Sequence, residues 1–212
     1  MTSPKRPVSE LLRIVEHALE GGVKLVQFRD KGAYSEAERA DAIRSLLEVC
    51  HRHHAPLVIN DDPLIARRSQ ADGVHVGRED PSPRIARTLL GPKAVVGVTV
   101  YGNKREEHAA EMAGADYLSI GPFYPSPSKP EEPELPLHIL DGTVHRAHVP
   151  VFAIGGIDAE RAKVLAGHGV AGVAVVSAIM EAPDPRAAAS SIRDAFEKGR
   201  IAARRPTTAT QT

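Results

Sequence analysis

The chain has 212 residues, more than the roughly 150 of a typical domain yet short for two, and its 27 Lys plus Arg balance its 27 Asp plus Glu. With zero formal charge, no global positive field draws it onto nucleic acid or an anionic membrane, so neither is expected as a partner. One cysteine, Cys50, excludes an intramolecular disulfide framework and a multi-Cys zinc site, and it fits a reducing, cytoplasmic compartment.

After a polar, proline-containing start over Met1–Pro7, the spacing predicts a helix over Val8–Glu20, which Arg13 and Glu16 keep from reading as a membrane span or secretory signal. Short, nearly continuous apolar runs then recur as predicted strands: Val23–Phe28, Leu57–Asn60, Gly73–Val76, Val95–Val98, Tyr117–Ile120, Val151–Ile154 and Gly172–Val176. Such runs suit parallel strands covered on both faces. Between them, charges at helical spacing predict helices at Glu36–His51, Arg84–Leu90, Lys104–Ala113, Ala159–Ala166 and Arg186–Lys198. Gly21, Gly114 and Gly167 stand where left-handed helix caps are expected. Three similar passages lead from helix into strand: Ala71-Asp72-Gly73-Val74, Gly114-Ala115-Asp116-Tyr117 and Gly169-Val170-Ala171-Gly172. Shared αβ-turn chemistry and ancestral duplication both explain them.

The expected architecture is α/β, a TIM (β/α)8 barrel forming one domain over residues 1–203, with 204–212 a disordered tail. Seven strands are visible where the barrel has eight, so the first strand is apparently missing from this chain. Met1–Pro7 is too short and too rich in proline to supply it.

Polar and glycine clusters follow the strands, at the carboxyl ends where a parallel barrel builds its active site. After the first visible strand, Gln27, Arg29 and Lys31 are two apart and share one face if extended, and their two cations suit a polyanion. Asn60-Asp61-Asp62 and Gly77-Arg78-Glu79-Asp80 place carboxylates beside those cations. Magnesium favours one or two carboxylates together with ligand oxygens and water, which makes Asp61 and Asp80 the candidate metal ligands. The same residues also suit a helix N-cap and a turn before Pro81. His75, inside a strand, suits a satisfied core histidine. Ser126, Ser128 and Lys129 lie on a proline-stiffened loop and could bind an anion. Gly155-Gly156 and Val176-Ser177 follow the last two strands, the usual phosphate cradle of this barrel. His51, His53 and His54 read as a surface helix end, and Cys50 as packing.

Taken together, Gln27–Lys31, Ile59–Asp61, Gly73–Asp80, Gly114–Lys129, Ala153–Ile157 and Gly172–Ile179 resemble the thiamine phosphate synthase family, in its order, from about Val8 to Ile179. The resemblance implies a transferase of thiamine biosynthesis. It would join hydroxymethylpyrimidine diphosphate to thiazole phosphate by a Mg2+-assisted dissociative substitution. It assigns Gln27 to the pyrimidine, and Arg29, Lys31, Asn60 and Lys129 to its diphosphate. Asp61 and Asp80 would bind Mg2+. Thr99 stands where the family commonly has a serine facing the diphosphate, and Ser126 and Ser128 where it usually has threonines near the thiazole phosphate. The backbone of Gly155, Gly156, Val176 and Ser177 would cradle that phosphate, with His75 among the substrate-binding residues. Partners are therefore the two small-molecule substrates, with a homo-oligomer open because an unpaired barrel edge invites association. The family's usual first strand is not seen here. A late start codon, a missing beginning, closure by another chain and decay each account for that. Two alternatives remain: a related thiazole tautomerase, against which Pro122 stands where a histidine would be expected, and a non-catalytic barrel that binds thiamine intermediates.

Overall fold

The computed structural model describes residues 1–3, 6–126 and 132–204. Seven parallel strands form one sheet in sequential order: β1 (Val26–Phe28), β2 (Leu57–Asn60), β3 (Gly73–Val76), β4 (Val95–Val100), β5 (Tyr117–Ile120), β6 (Val151–Ile154) and β7 (Gly172–Ala174). Helix α1 (Val8–Glu20) precedes them. Between strands lie α2 (Glu36–Arg52), α3 (Pro63–Ser69), α4 (Pro83–Leu90), α5 (Lys104–Met112), α6 (Leu137–Arg146) and α7 (Ala159–Ala166). The short α8 (Ser177–Met180) and the long α9 (Pro185–Arg204) follow β7. This is a curled, TIM-like α/β sheet with one strand fewer than a full barrel.

Local chemistry starts the helices. Ser35 and Glu38 form a reciprocal capping box on α2, while Ser82, Asn103 and Asp158 accept backbone N–H groups at the starts of α4, α5 and α7. Asp62 caps α3 through Leu64 N and Ile65 N, at 2.8 and 3.1 Å, ahead of Pro63 in the first turn. Two expected glycine caps are corrected. Gly21 and Gly167 have φ of −71° and −65°, and the left-handed residues are Gly22 and Gly169, one and two positions later. There the chain has already left the helix and must reverse toward the next strand. Gly114 is left-handed as expected.

The recurring helix-to-strand passages share a contact. The N–H groups of Asp72, Asp116 and Ala171 donate to Leu57, Val96 and Val151, the first residues or near-first residues of the preceding strands, at 3.0, 2.8 and 2.8 Å. In the first two, the Asp carboxylate also accepts from that strand, at Leu57 N and Val96 N, both 2.7 Å. All three passages thus share the backbone turn contact, and the first two share the Asp contact as well.

The core is aliphatic: Leu11, Ile43, Leu46, Leu57, Leu118, Ile120, Leu140 and Leu165 are all but completely buried. Cys50 is buried among them, and burial pushes its thiol up to about 12, so it packs and does not react at neutral pH. Among the few buried polar side chains is the carboxylate of Glu107, only 3% exposed. It accepts from the Thr143 hydroxyl at 2.7 Å and from Arg146 at 2.9 Å, tying α5 to α6.

Among the described residues β1 and β7 do not pair with each other. Met1 and Thr2 lie between their upper ends: the Met1 amine donates to Val175 O at 3.0 Å, and Thr2 N to Gln27 O at 2.8 Å. Burial lowers the pKa of that amine to about 6. Below them is an apolar cavity of about 610 Å³, lined by residues that include Val15, Leu25, Phe152, Val173, Ile192 and Phe196. The open neighbour explains why every residue of β7 is only half-buried, whereas all of β3 is buried. Arg204, expected in the tail, is the last residue of α9; the rest of the tail lies outside the described residues.

Candidate active site

The strands deliver their polar residues to one end of the sheet. A cavity of about 370 Å³ there is lined by Gln27, Arg29 and Lys31 from the end of β1, Asn60 and Asp61 from β2, and His75 and Asp80 from β3. Thr99 from β4, Ser126, Gly155 and Gly156 after β5 and β6, and Val176 and Ser177 after β7 complete the same wall. Every described residue that the sequence assigned to substrate or metal therefore lines this one cavity. Ser128 and Lys129 lie outside the described residues.

Register explains the convergence. Asn60 is level with His75, His75 with Gly97, and Thr99 with Ser119, so residues two apart along each strand form rungs on one inner face. Gln27, 8% exposed, continues the inner face of β1 at the boundary between the apolar cavity and the polar one.

The two aspartates after β2 divide their work. Asp62 caps α3, which leaves Asp61 to the cavity. Lys31 and Asp61 both have left-handed backbones, with φ of 48° and 70°, uncommon for residues with a Cβ. That geometry turns the Lys31 ammonium onto Asp61 Oδ2 at 2.7 Å. Asp80 is both a turn residue and a cavity residue: its Oδ2 accepts from Gly77 N at 2.7 Å while the side chain faces Asp61. Burial pushes the Asp80 carboxyl above the usual range, and the Asp61 charge and hydrogen bond push it further, against the Gly77 N–H and Lys31. Two carboxylates facing each other in one cavity are suited to a divalent cation, which would relieve their repulsion.

The glycines after β6 have a structural reason beyond ligand access. A Cβ on Gly155 would strike Pro122, and one on Gly156 would strike Pro125 O and Tyr124, so the β5 and β6 loops press backbone against backbone. Arg161 fastens this contact, donating to Gly156 O and stacking on the Tyr124 ring at 4.7 Å.

Sequence reasoning did not single out Arg78 and Tyr101, which also line the cavity. Arg78 lies 4.6 Å from the Tyr101 ring centre and pairs with Glu106 at 3.0 Å. An exposed arginine in a turn carries no spacing signal. His75 is both a satisfied strand histidine and a cavity residue. Its Nδ1 is 2.9 Å from the Tyr117 hydroxyl and its Nε2 2.8 Å from Thr99 Oγ1. The His51–His54 tract lies at the end of α2, where His51 pairs with Asp72 at 3.0 Å, away from this cavity.

A parallel α/β sheet whose cations, carboxylates and glycine loops meet at the strands' carboxyl ends defines a TIM-like enzyme that handles phosphorylated small molecules. A family model described as thiamine monophosphate synthase matches residues 1–179. The chain is 42% identical over 196 residues to the thiamine-phosphate synthase of Thiobacillus denitrificans, covering 92% of each protein. It is 39% identical over 184 residues to that of Thermoplasma acidophilum, covering 86% of this chain and 84% of the relative. A solved thiamine phosphate pyrophosphorylase from Pyrococcus furiosus superposes with a TM-score of 0.81 at 32% identity, covering 93% of this chain and 94% of that one. The chain belongs to the thiamine monophosphate synthase family, and it is a transferase.

Proposed function

We propose that the rim cavity joins 4-amino-5-hydroxymethyl-2-methylpyrimidine diphosphate to 4-methyl-5-(2-phosphoethyl)thiazole, giving thiamine phosphate and diphosphate. The observation that carries this reading is the convergence of the cations Arg29 and Lys31, the carboxylates Asp61 and Asp80 and the glycine loop Gly155-Gly156 on one cavity. One anion site flanked by cations and a second beside a glycine loop suit one diphosphate and one monophosphate.

Gln27, at the apolar boundary, would hydrogen-bond the pyrimidine. Arg29, Lys31 and Asn60, with Lys129, would hold the diphosphate, and Thr99 would offer it a hydroxyl. Ser126, Ser128 and the backbone of Gly155, Gly156, Val176 and Ser177 would hold the thiazole phosphate, with His75 at the base of the pocket. Asp61 and Asp80 fit Mg2+, which when bound would neutralise charge on the departing diphosphate. In the substitution the exocyclic C–O bond breaks with its electron pair leaving on the diphosphate, and a C–N bond forms from the thiazole nitrogen. The aminopyrimidine stabilises the intervening carbocation. No side chain need move a proton, so the protein contributes positioning and fixed charge. Lys31 would exchange its Asp61 partner for the diphosphate when substrate and cation arrive.

The reading includes a complete (β/α)8 closure in the working enzyme and a cytoplasmic location, supported by the single buried cysteine. Among the described residues no helix is long and apolar enough to cross a membrane. Self-association through the open β1 and β7 edges is part of the same reading. Pro122 lines the cavity, which favours synthase over tautomerase chemistry.

The experiment is Asp61→Ala and Asp80→Ala, assayed for thiamine phosphate across a Mg2+ titration with folding checked by circular dichroism. The reading expects folded proteins with activity lowered by about 10²-fold or more. Full Mg2+-dependent activity in Asp61→Ala would overturn the metal assignment.

A further inference from the structure

Inside the sheet, below the rim, three side chains from adjacent strands form a continuous hydrogen-bonded chain. His75, Gly97 and Tyr117 are level with one another across β3, β4 and β5. Gly97 has no side chain, so the His75 and Tyr117 rings meet over it, with centroids 5.4 Å apart and the Tyr117 hydroxyl 2.9 Å from His75 Nδ1. The opposite ring nitrogen, Nε2, is 2.8 Å from Oγ1 of Thr99, one rung closer to the rim. Phe152 packs edge-on against Tyr117 at 5.3 Å and holds it from the other side. Tyr117 lines the apolar cavity and not the rim cavity. Thr99 lines the rim cavity and not the apolar one, and His75 lines both.

A neutral imidazole has one N–H donor and one acceptor nitrogen, and each hydroxyl can donate once. The chain therefore has two arrangements. In one, Tyr117 donates to Nδ1, Nε2–H donates to Thr99 Oγ1, and the Thr99 hydrogen turns into the rim cavity. In the other, every bond reverses: Thr99 donates to Nε2, Nδ1–H donates to the Tyr117 oxygen, and the tyrosine hydrogen is left to the mostly apolar cavity that Tyr117 lines. The second puts a hydroxyl hydrogen where acceptors are scarce, and the first puts it where an anion is expected. Burial also raises the Tyr117 pKa, so its hydroxyl keeps its hydrogen in both arrangements, and the two differ only in where that hydrogen points.

We propose that Tyr117 is a positioning residue. Its hydroxyl fixes His75 as the Nε2–H tautomer, and His75 in turn directs the Thr99 hydroxyl as a donor to the diphosphate of the substrate. Tyr117 touches no substrate; it acts through two other side chains. The tautomer follows from the fold alone, whereas its effect on turnover rests on the condensation proposed above.

The test has two readouts on the full chain. Nitrogen-15 NMR of histidine-labelled protein, with His75 assigned by comparison with His75→Gln, reads the tautomer directly without any substrate. The expected result is a protonated Nε2 and a bare Nδ1 in the wild type, shifting toward the other tautomer or a mixture in Tyr117→Phe. Steady-state assays should show kcat lowered by about 10- to 100-fold in Tyr117→Phe and in Thr99→Val, the size typical of losing a supporting hydrogen bond at a site. The double variant should be no worse than about twofold below the poorer single, because both changes interrupt one chain. A wild-type His75 protonated on Nδ1 overturns the proposal, as does a tautomer unmoved by Tyr117→Phe or a multiplicative double variant. Absence of thiamine phosphate synthesis in the wild type overturns the function proposed above, and the NMR result still decides the tautomer. If Tyr117→Phe does not fold, the wild-type spectrum and Thr99→Val carry the test.

Discussion

Replacing Gly97 by alanine tests the packing on which the His75–Tyr117 contact depends. A Cβ there would overlap the Tyr117 ring and hydroxyl and come within 2.5 Å of His75 Nδ1, so both rings would have to move. Neither can move freely, since Phe152 blocks Tyr117 and β3 is buried along its whole length. Overpacking of this kind costs about 1–3 kcal/mol, and losing the buried hydrogen bond adds about 0.5–1.5 kcal/mol. A total of about 1.5–4.5 kcal/mol corresponds to a fall in Tm of roughly 3–18 °C for a chain of this size. Thermal unfolding followed by far-UV circular dichroism reads this directly. Combining Gly97→Ala with Tyr117→Leu should be less damaging than the two changes added, because the smaller side chain gives the new methyl room. A Tm within about 2 °C of wild type, or strict additivity in the double variant, would refute the reasoning.

Three other outcomes follow from particular contacts. Glu107→Ala removes the buried acceptor shared by the half-exposed Arg146 and the Thr143 hydroxyl, which keeps Ile139 O, and should cost about 1–3 kcal/mol, read as a lower urea midpoint, with Glu107→Gln milder. Because burial and Asp61 raise the folded pKa of Asp80 above 3.8, its ionisation destabilises the metal-free fold as pH rises through that raised value. Asp80→Asn should therefore raise Tm at pH 7 in chelator, with the gain shrinking as pH falls toward 3.8 and gone well below it, where the carboxyl is protonated in both states. A gain that persists at acid pH would contradict the assignment. Extending the chain at the Met1 amine by about four apolar residues, the length of a typical strand here, should raise Tm. The extension would place side chains in the 610 Å³ cavity and replace a buried amine with an amide; an unchanged Tm would show that the cavity does not accept a strand.

The seven strands were legible because both faces of a parallel sheet are covered, which writes each strand as an unbroken apolar run such as Leu57–Asn60 or Gly73–Val76. Ends were less legible. β1 begins at Val26 and not Val23, and β7 ends at Ala174 and not Val176, both beside the open edge where no neighbouring strand extends the pairing. Helices α3, α6 and α8 were missed: two are seven residues or fewer, and α6 carries Gly142 in its interior, which weakens its pattern. The site was legible through position, since polar residues ending apolar runs must gather at one rim. Sequence favoured Asp61 over Asp62 but could not show the reason: the backbone turn at Asp61 sends one to the cavity and the other to the helix cap. Nor could it show Tyr117, whose partner His75 is 42 residues away and is brought into reach by the register of Gly97. The pair of Glu107 and Arg146, 39 residues apart, was hidden for the same reason.

The most direct test of the central claim is to incubate the purified chain with both phosphorylated substrates and Mg2+, with and without chelator, and to measure thiamine phosphate. The account requires product that appears with Mg2+, disappears with chelator and returns when Mg2+ is restored. A folded chain that binds neither substrate and yields no product at any Mg2+ concentration would contradict it.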